Sequence, residues 1–211
     1  MKNKINFLAA VLISTLFITS CGNPSGGGDG GGQTPVVYNL GDTGPGGGKI
    51  FYASEEGFTV EGHASFGSSY TAHYLEAGLV DLVREGESDW DYWATSENQY
   101  INIPGTEMEI GTGRKNTGII ISILDEKAPA ATLCANYRLG GKTDWFLPSS
   151  DELVQLYNNK TYVGNFSLTF YWSSSQMANS AENAWRHAFD NGNAGTVSKF
   201  NRCYIRAIRA F

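Results

Sequence analysis

The sequence predicts an α+β fold rich in loops, and three observations predict it. About 175 residues follow a glycine-rich stretch, enough for one domain with a sizeable core. Aromatic residues make up 13% and glycines number 26, which pairs bulky core side chains with frequent turns. A strong helix start lies near residue 149, and strand-like runs fill the chain from Phe166 onward.

The elements follow in order. Lys2 and Lys4 precede an apolar run from Ile5 to Ile18, then Thr19-Ser20-Cys21. A charged start, a short apolar core and small residues before a cut read as an export signal over 1–20. The run is short and interrupted, so it is not a comfortable membrane span of about 20 apolar residues. Cys21 directly after the small residues resembles the lipobox of bacterial lipoproteins, which implies cleavage before Cys21 and lipid on its thiol. Residues 22–35, GNPSGGGDGGGQTP, carry no side chains that build a core. With flanking Cys21 and Val36 they form a tether over 21–36, spanning roughly 20 Å. The folded domain is expected over 37–211.

YNLGDTGPGGGKIFY at 38–52 invites a phosphate-loop reading, but Thr43 stands where the loop needs glycine and Ile50 follows Lys49. A turn at Asp42 and Pro45-Gly46 feeding a strand at Lys49–Ala53 is the better reading. An apolar segment follows at 74–83. Asn116 or Thr117 is placed to cap a helix filled by Ile119, Ile120, Ile121, Ile123 and Leu124. Pro129 stops it and opens a second helix running to Leu139, ended by Gly140-Gly141. Ser149 with Glu152 three places on is a capping box, after which Leu153, Leu156 and Tyr157 share a face. Strand-like runs then surround Asn191-Gly192, a hairpin signal.

Removing 1–20 takes two lysines from 15 basic residues and leaves 13 against 21 acidic ones. An acidic body disfavours nucleic-acid binding, which draws on phosphate neutralisation. The acids cluster at 81–97 and five basic groups at 183–211, so the tail either meets an anionic ligand or pairs with the body. Cys134 and Cys203 form an even pair compatible with a disulfide in an exported protein.

No catalytic or metal motif survives inspection, and no cofactor is implied. Ser173-Ser174-Ser175 lacks a nucleophile elbow and reads as hydroxyls satisfying neighbouring backbone. His63, His73 and His187 lack zinc-site spacing. Glu87, Asp89 and Asp91 lack EF-hand spacing. Trp145 reads as core.

The blocks GDTGPGGGKIFY, IGTGRKNT, LCANYRLGGKTDWFLPSSDELVQLY, FYWSSS, Ala184-Trp185 and IRAIRAF stand in an order that resembles the DUF1566 domain. That domain type ends the Legionella collagen-like adhesin, and the likeness extends over residues 38–211. It implies a C-type-lectin-like fold, with two helices and a twisted antiparallel sheet. The sugar-binding triplets of calcium-dependent lectins are missing. The stretch Ser173–Tyr204 also resembles the variable region of proteins diversified by retroelements, where Cys203 would be one sampled residue.

On this resemblance the ligand-binding residues are Gln176, Met177, Ser180, Glu182, Arg186, His187, Asp190, Thr196, Ser198, Phe200, Arg202 and Tyr204, with Cys21 lipidated. Trp172, Trp185, Phe189, Gly192, Ile205 and Ile208 form the frame. Arg206 and Arg209, in an apolar strand, include at least one paired structural arginine. The expected protein is a non-catalytic lipoprotein of the bacterial outer membrane or cell surface. Its partners are an extracellular protein or glycan, and the membrane through its lipid. The alternative is an adhesin for sulfated glycosaminoglycans, bound through Arg186, Lys199 and Arg202. A related fold occurs in formylglycine-generating enzymes, but their chemistry needs reactive cysteines, and Cys134 sits in an apolar helix.

Overall fold

A computed structural model describes residues 36–87 and 89–211. The expected signal peptide, Cys21 and nearly all of the tether lie outside the described residues. The domain, Val37–Phe211, is one compact unit.

Strands β1 (Lys49–Val60), β2 (Tyr70–Ala77) and β3 (Asp91–Tyr92) come first. Helices α1 (Gly113–Leu124), α2 (Pro129–Asn136), α3 (Ser150–Asn158) and the single turn α4 (Lys160–Val163) follow. The chain closes with β4 (Phe170–Gln176), β5 (Asn183–Ala188), β6 (Ala194–Ser198), β7 (Arg202–Cys203) and β8 (Ile208–Ala210). The architecture is mixed α+β, with antiparallel sheets ordered β1-β2-β8, β3-β7 and β4-β5-β6. The strand expected at 49–53 runs on to Val60, its pairing with β2 shifting register between Ala53 and Phe58.

The capping box forms as read. Ser149 Oγ accepts from Glu152 N, and Glu152 Oε2 accepts from Ser149 N at 2.7 Å. The box is also tertiary, because Glu152 Oε1 accepts from Gly111 N at 2.9 Å. Residue 113 is glycine because a Cβ there would stand 2.2 Å from Glu152 Oε2.

Two helix boundaries differ from expectation. α1 begins at Gly113, so Asn116 and Thr117 are interior rather than caps. Both are buried and committed elsewhere: Asn116 clamps the backbone of Glu107 from both sides, and Thr117 Oγ1 accepts from Leu147 N. α2 ends at Asn136, short of Leu139. Gly140 and Gly141 instead make a turn at positive φ that bridges Leu139 to Lys142. A Cβ on Gly140 would lie 2.5 Å from Gly46 O, so this turn packs against the first glycine loop.

Two apolar clusters fill the domain. One gathers Trp93, Trp145, Trp172, Ile120 and Leu147 with Cys134 and Cys203. The other gathers Phe51, Leu75, Phe146, Leu153, Tyr171, Phe189 and Ile208. The hairpin read at Asn191-Gly192 joins β5 to β6, with Gly192 at φ +84°. The cysteines are unbridged: Cys134 and Cys203 are free, buried thiols.

Candidate ligand-binding surfaces

The polar stretch beginning at Ser173 is partly scaffold. All three serines are fully buried, and each hydroxyl donates to a backbone carbonyl: Ser173 to Trp185, Ser174 to Pro148, Ser175 to Glu107. Ser175 Oγ also accepts from Ser150 N, the first residue of α3. β4 is thus fastened to β5 and to the entrances of α1 and α3. No histidine or carboxylate partner accompanies these hydroxyls in those bonds, and their geometry is that of backbone satisfaction.

Three of the five basic groups of the tail, Arg202, Arg206 and Arg209, pair with carboxylates of the body. Arg206 meets Asp81 at 2.7 Å and also donates to Gly78 O. Arg209 meets Glu76 at 2.7 Å and Asp144 at 2.6 Å. Glu76 is fully buried and accepts from the amides of Gly46 and Gly48. The glycine loop at 44–48 therefore cradles an internal carboxylate. Cβ atoms at Gly44 or Gly46 would stand 2.5 Å from that carboxylate. Further along the acidic segment, Asp91 pairs with Arg84, and Glu87 with Arg202 at 2.9 Å. No group of residues suited to holding a metal ion occurs among the described residues.

Two surfaces remain at the C-terminal sheet. The first is an open groove of about 480 Å³ between residues 102–108 and residues 176–179. Met108, Met177, Ile103 and Trp185 line it. Its wall is held by Gln176, whose Oε1 accepts from Ile103 N at 2.8 Å and from Lys199 Nζ at 2.6 Å. The Nε2 of the same side chain donates to Asn102 Oδ1 at 2.6 Å. Lys199 is fully buried, sits over the Trp93 ring, and has its pKa pushed down to about 8 by burial.

The second surface is an aromatic platform. Phe200 stacks on Tyr92 with ring centroids 4.5 Å apart and planes 8° from parallel. The Arg202 guanidinium covers the same Tyr92 ring at 4.7 Å. Trp90 leans on Tyr204 at 6.3 Å. Phe200 and Trp90 stay about 40% exposed, at 40% and 43%.

The twelve sequence-predicted residues divide among these settings. Met177, Gln176 and Thr196 meet at or beside the groove, where the Thr196 hydroxyl donates to Met177 Sδ at 3.4 Å. Phe200, Arg202 and Tyr204 supply three of the platform's five residues. Arg186 is half-buried, with its guanidinium carbon 3.5 Å from the centre of the Phe170 ring. Ser198 donates to Gln99 Oε1, and Ser180, Glu182 and the exposed Asp190 occupy turns.

His187 is the clear correction. It is buried, 4% exposed, packed on Tyr157 at 4.8 Å, and neither ring nitrogen meets a partner among the described residues. Burial, and then Lys160, hold its pKa below the ordinary value. It sits inward because its end of β5 packs against Tyr157 of α3, where the neighbouring Ala188 is buried as well. Gln176 is likewise a tie between loop and strand, not a freely exchangeable contact. Cys203 is buried too, its thiol pushed up to about 12 by burial. Trp185, expected in the frame, is half-buried and lines the groove.

Sequence reasoning missed the partners supplied from afar: Trp90 and Tyr92 in the platform, Met108 and Ile103 in the groove. The one available signal was the aromatic cluster Trp90, Tyr92 and Trp93 inside the acidic segment.

Compared with known proteins, residues 88–209 match the family described as the Lcl C-terminal domain. The match covers more than half of the chain, and the chain belongs to that family. It begins after β2, a shorter span than the 38–211 of the resemblance. No curated protein matches the chain.

Proposed function

We propose, for this member of the Lcl C-terminal domain family, a non-catalytic role in binding a protein or glycan ligand at the bacterial surface. The family suggests a cell-surface, adhesin-like protein. In this reading a lipid on Cys21 and the glycine tether hold the domain to the membrane. The frame is of C-type-lectin-like type, and the platform of Trp90, Tyr92, Phe200, Arg202 and Tyr204 is the contact surface.

The observation that carries the reading is the exposed Phe200 ring stacked on Tyr92, with Arg202 on the same ring. Aromatic and arginine side chains are the types that dominate binding hot spots. Rings already ordered by stacking lose little further freedom on binding. The sulfated-glycan alternative draws on Arg186, Lys199 and Arg202. Lys199 is buried, Arg202 pairs with Glu87, and Arg186 lies on Phe170, so the reading ranks second.

The test is a panel of immobilised extracellular proteins and glycans, probed with the wild-type chain and a Phe200→Ser, Arg202→Ser variant. At least one ligand bound by wild type should be lost by the variant while melting is preserved. Binding that persists unchanged in the variant would remove the platform from the account. Retroelement diversification of 173–204 is a separate part of the proposal. A near-copy of the encoding DNA differing at adenines, beside a reverse transcriptase, supports it; a complete genome without one defeats it.

A further inference from the structure

The groove between the 102–108 loop and the tip of the β4–β5 hairpin differs chemically from the rest of the surface. The domain is acidic, yet none of the residues lining this groove carries a charge. Its apolar lining comes from Ile103, Pro104, Met108, Met177, Ala178 and Trp185. Two thioethers beside an indole form a floor that adapts to apolar shapes, because methionine is unbranched, flexible and polarizable. The wall is preformed by the three bonds of the Gln176 amide to Ile103, Asn102 and Lys199.

An open sheet edge adjoins it. Among the described residues β6 has a strand neighbour on one side only, β5. The bonds Lys199 N to Glu182 O and Ala188 N to Asn193 O fix which pairs are hydrogen-bonded in this ladder. Alternation then turns the backbone of Gly195 and Val197 toward β5, and that of Ala194 and Thr196 away from it. Thr196 is tied to the groove through its bond to Met177 Sδ. The edge, Ala194–Ser198, lacks the charges and prolines with which sheet edges are usually protected.

We propose that this groove and edge form a docking site for an extended, uncharged segment of a partner protein. The segment pairs its backbone with β6 and seats an aliphatic or aromatic side chain against Met108, Met177 and Trp185. A neutral, apolar lining matches such a side chain and offers no counter-ion to a sulfate, a carboxylate or an ammonium group. Unpaired strand amides favour an extended peptide over a sugar ring, because adding a strand is the recognition mode that uses them. This surface is distinct from the platform and stands independently of it.

Of the three methionines, Met1, Met108 and Met177, only the last two remain after cleavage before Cys21, and both line the groove, so methyl-labelled methionine reports on the groove. The full chain is titrated with the blocked peptide Ac-Thr-Leu-Thr-Leu-Thr-NH2, its Leu→Asp analogue, its backbone N-methylated analogue and methyl glucoside. The Leu peptide should shift both groove methyl resonances, while the Asp and N-methylated analogues bind at least about tenfold more weakly. Trp185→Ala should weaken the Leu peptide similarly, and Phe200→Ser should not, which separates this site from the platform. Shifts caused by methyl glucoside in place of the peptide would make the groove a saccharide site and overturn the proposal. Equal binding of the N-methylated peptide would overturn the strand-pairing part. No shift with any probe would overturn the whole. The probe comparison requires no variant, so a misfolded Trp185→Ala protein would leave the outcome decisive.

Discussion

Arginine occupies both halves of the C-terminal segment, and its surroundings give it opposite tasks. In 205–211, Arg206 and Arg209 are buried and face Asp81, Glu76 and Asp144 across the fold. In 176–204, Arg186 and Arg202 sit over the Phe170 and Tyr92 rings and are less buried. Arg209 joins β8 through Glu76 to the glycine loop, and Arg206 ties Asp81, Gly78 and Asn165 together. The second pair is less enclosed: Arg186 is half-buried against Phe170, and Arg202 meets Glu87 as well as the Tyr92 ring. Residue type is therefore a poor guide to function in this segment. The position of the partner charge or ring decides.

The largest effect should come from breaking the inner half. Arg209→Met strands the fully buried Glu76 carboxylate, and removing one member of a buried pair typically costs about 3–5 kcal/mol. Chemical denaturation should show that loss. A variant of near wild-type stability would erase the contrast between the two halves.

Next in size is a pH effect at the capping box. Burial raises the pKa of Glu152 from 4.5 to about 7, against the pull of the Ser149 and Gly111 amides. The folded chain then holds this proton more tightly than the unfolded chain. The resulting stabilisation is complete below the ordinary value of 4.5 and is lost as pH rises through about 7. Such a shift is worth about 3 kcal/mol. His187, with its lowered pKa, acts in the opposite sense below its ordinary value of 6.5. The informative quantity is therefore the difference between wild type and Glu152→Gln, followed by denaturant midpoints from pH 4 to 8. Wild type should lose stability relative to Glu152→Gln as pH rises from 4.5 through about 7, and a flat difference would contradict the assigned shift.

Ser175→Ala sharpens the boundary between scaffold and surface. It deprives Ser150 N of its acceptor at the start of α3 and Glu107 O of a donor. An unsatisfied buried group costs about 1–3 kcal/mol. The smallest thermal effect belongs to the platform: Phe200→Ser with Arg202→Ser should leave the melting temperature nearly unchanged, since both side chains stack at the surface. A collapse of the fold on changing them would place those positions in the core.

Local signals were legible wherever neighbours in sequence complete the interaction. The Ser149–Glu152 box, the Asn191-Gly192 hairpin and the backbone-satisfying serines all form as read. Signals failed where a distant element supplied the partner. Asn116 looked like a cap because its own helix offers it one, yet Glu107 and Ser174 take its amide. Gly140-Gly141 looked like a helix stop, yet the turn is needed for close approach to Gly46. His187 looked outward because no local pattern states which face of β5 meets α3.

By itself, then, the sequence determined the α+β class, the strand opening at Lys49, the capped start of α3 and the hairpin at Asn191-Gly192. Those follow from period, capping and turn chemistry, which act over a few residues. Only the tertiary structure decided which of the polar groups face solvent. Burial depends on what packs from far along the chain: Glu87 and Tyr92 beside Arg202, Ile101 and Gln176 around Lys199, and the 102–108 loop that turns Trp185 from a frame residue into a groove wall.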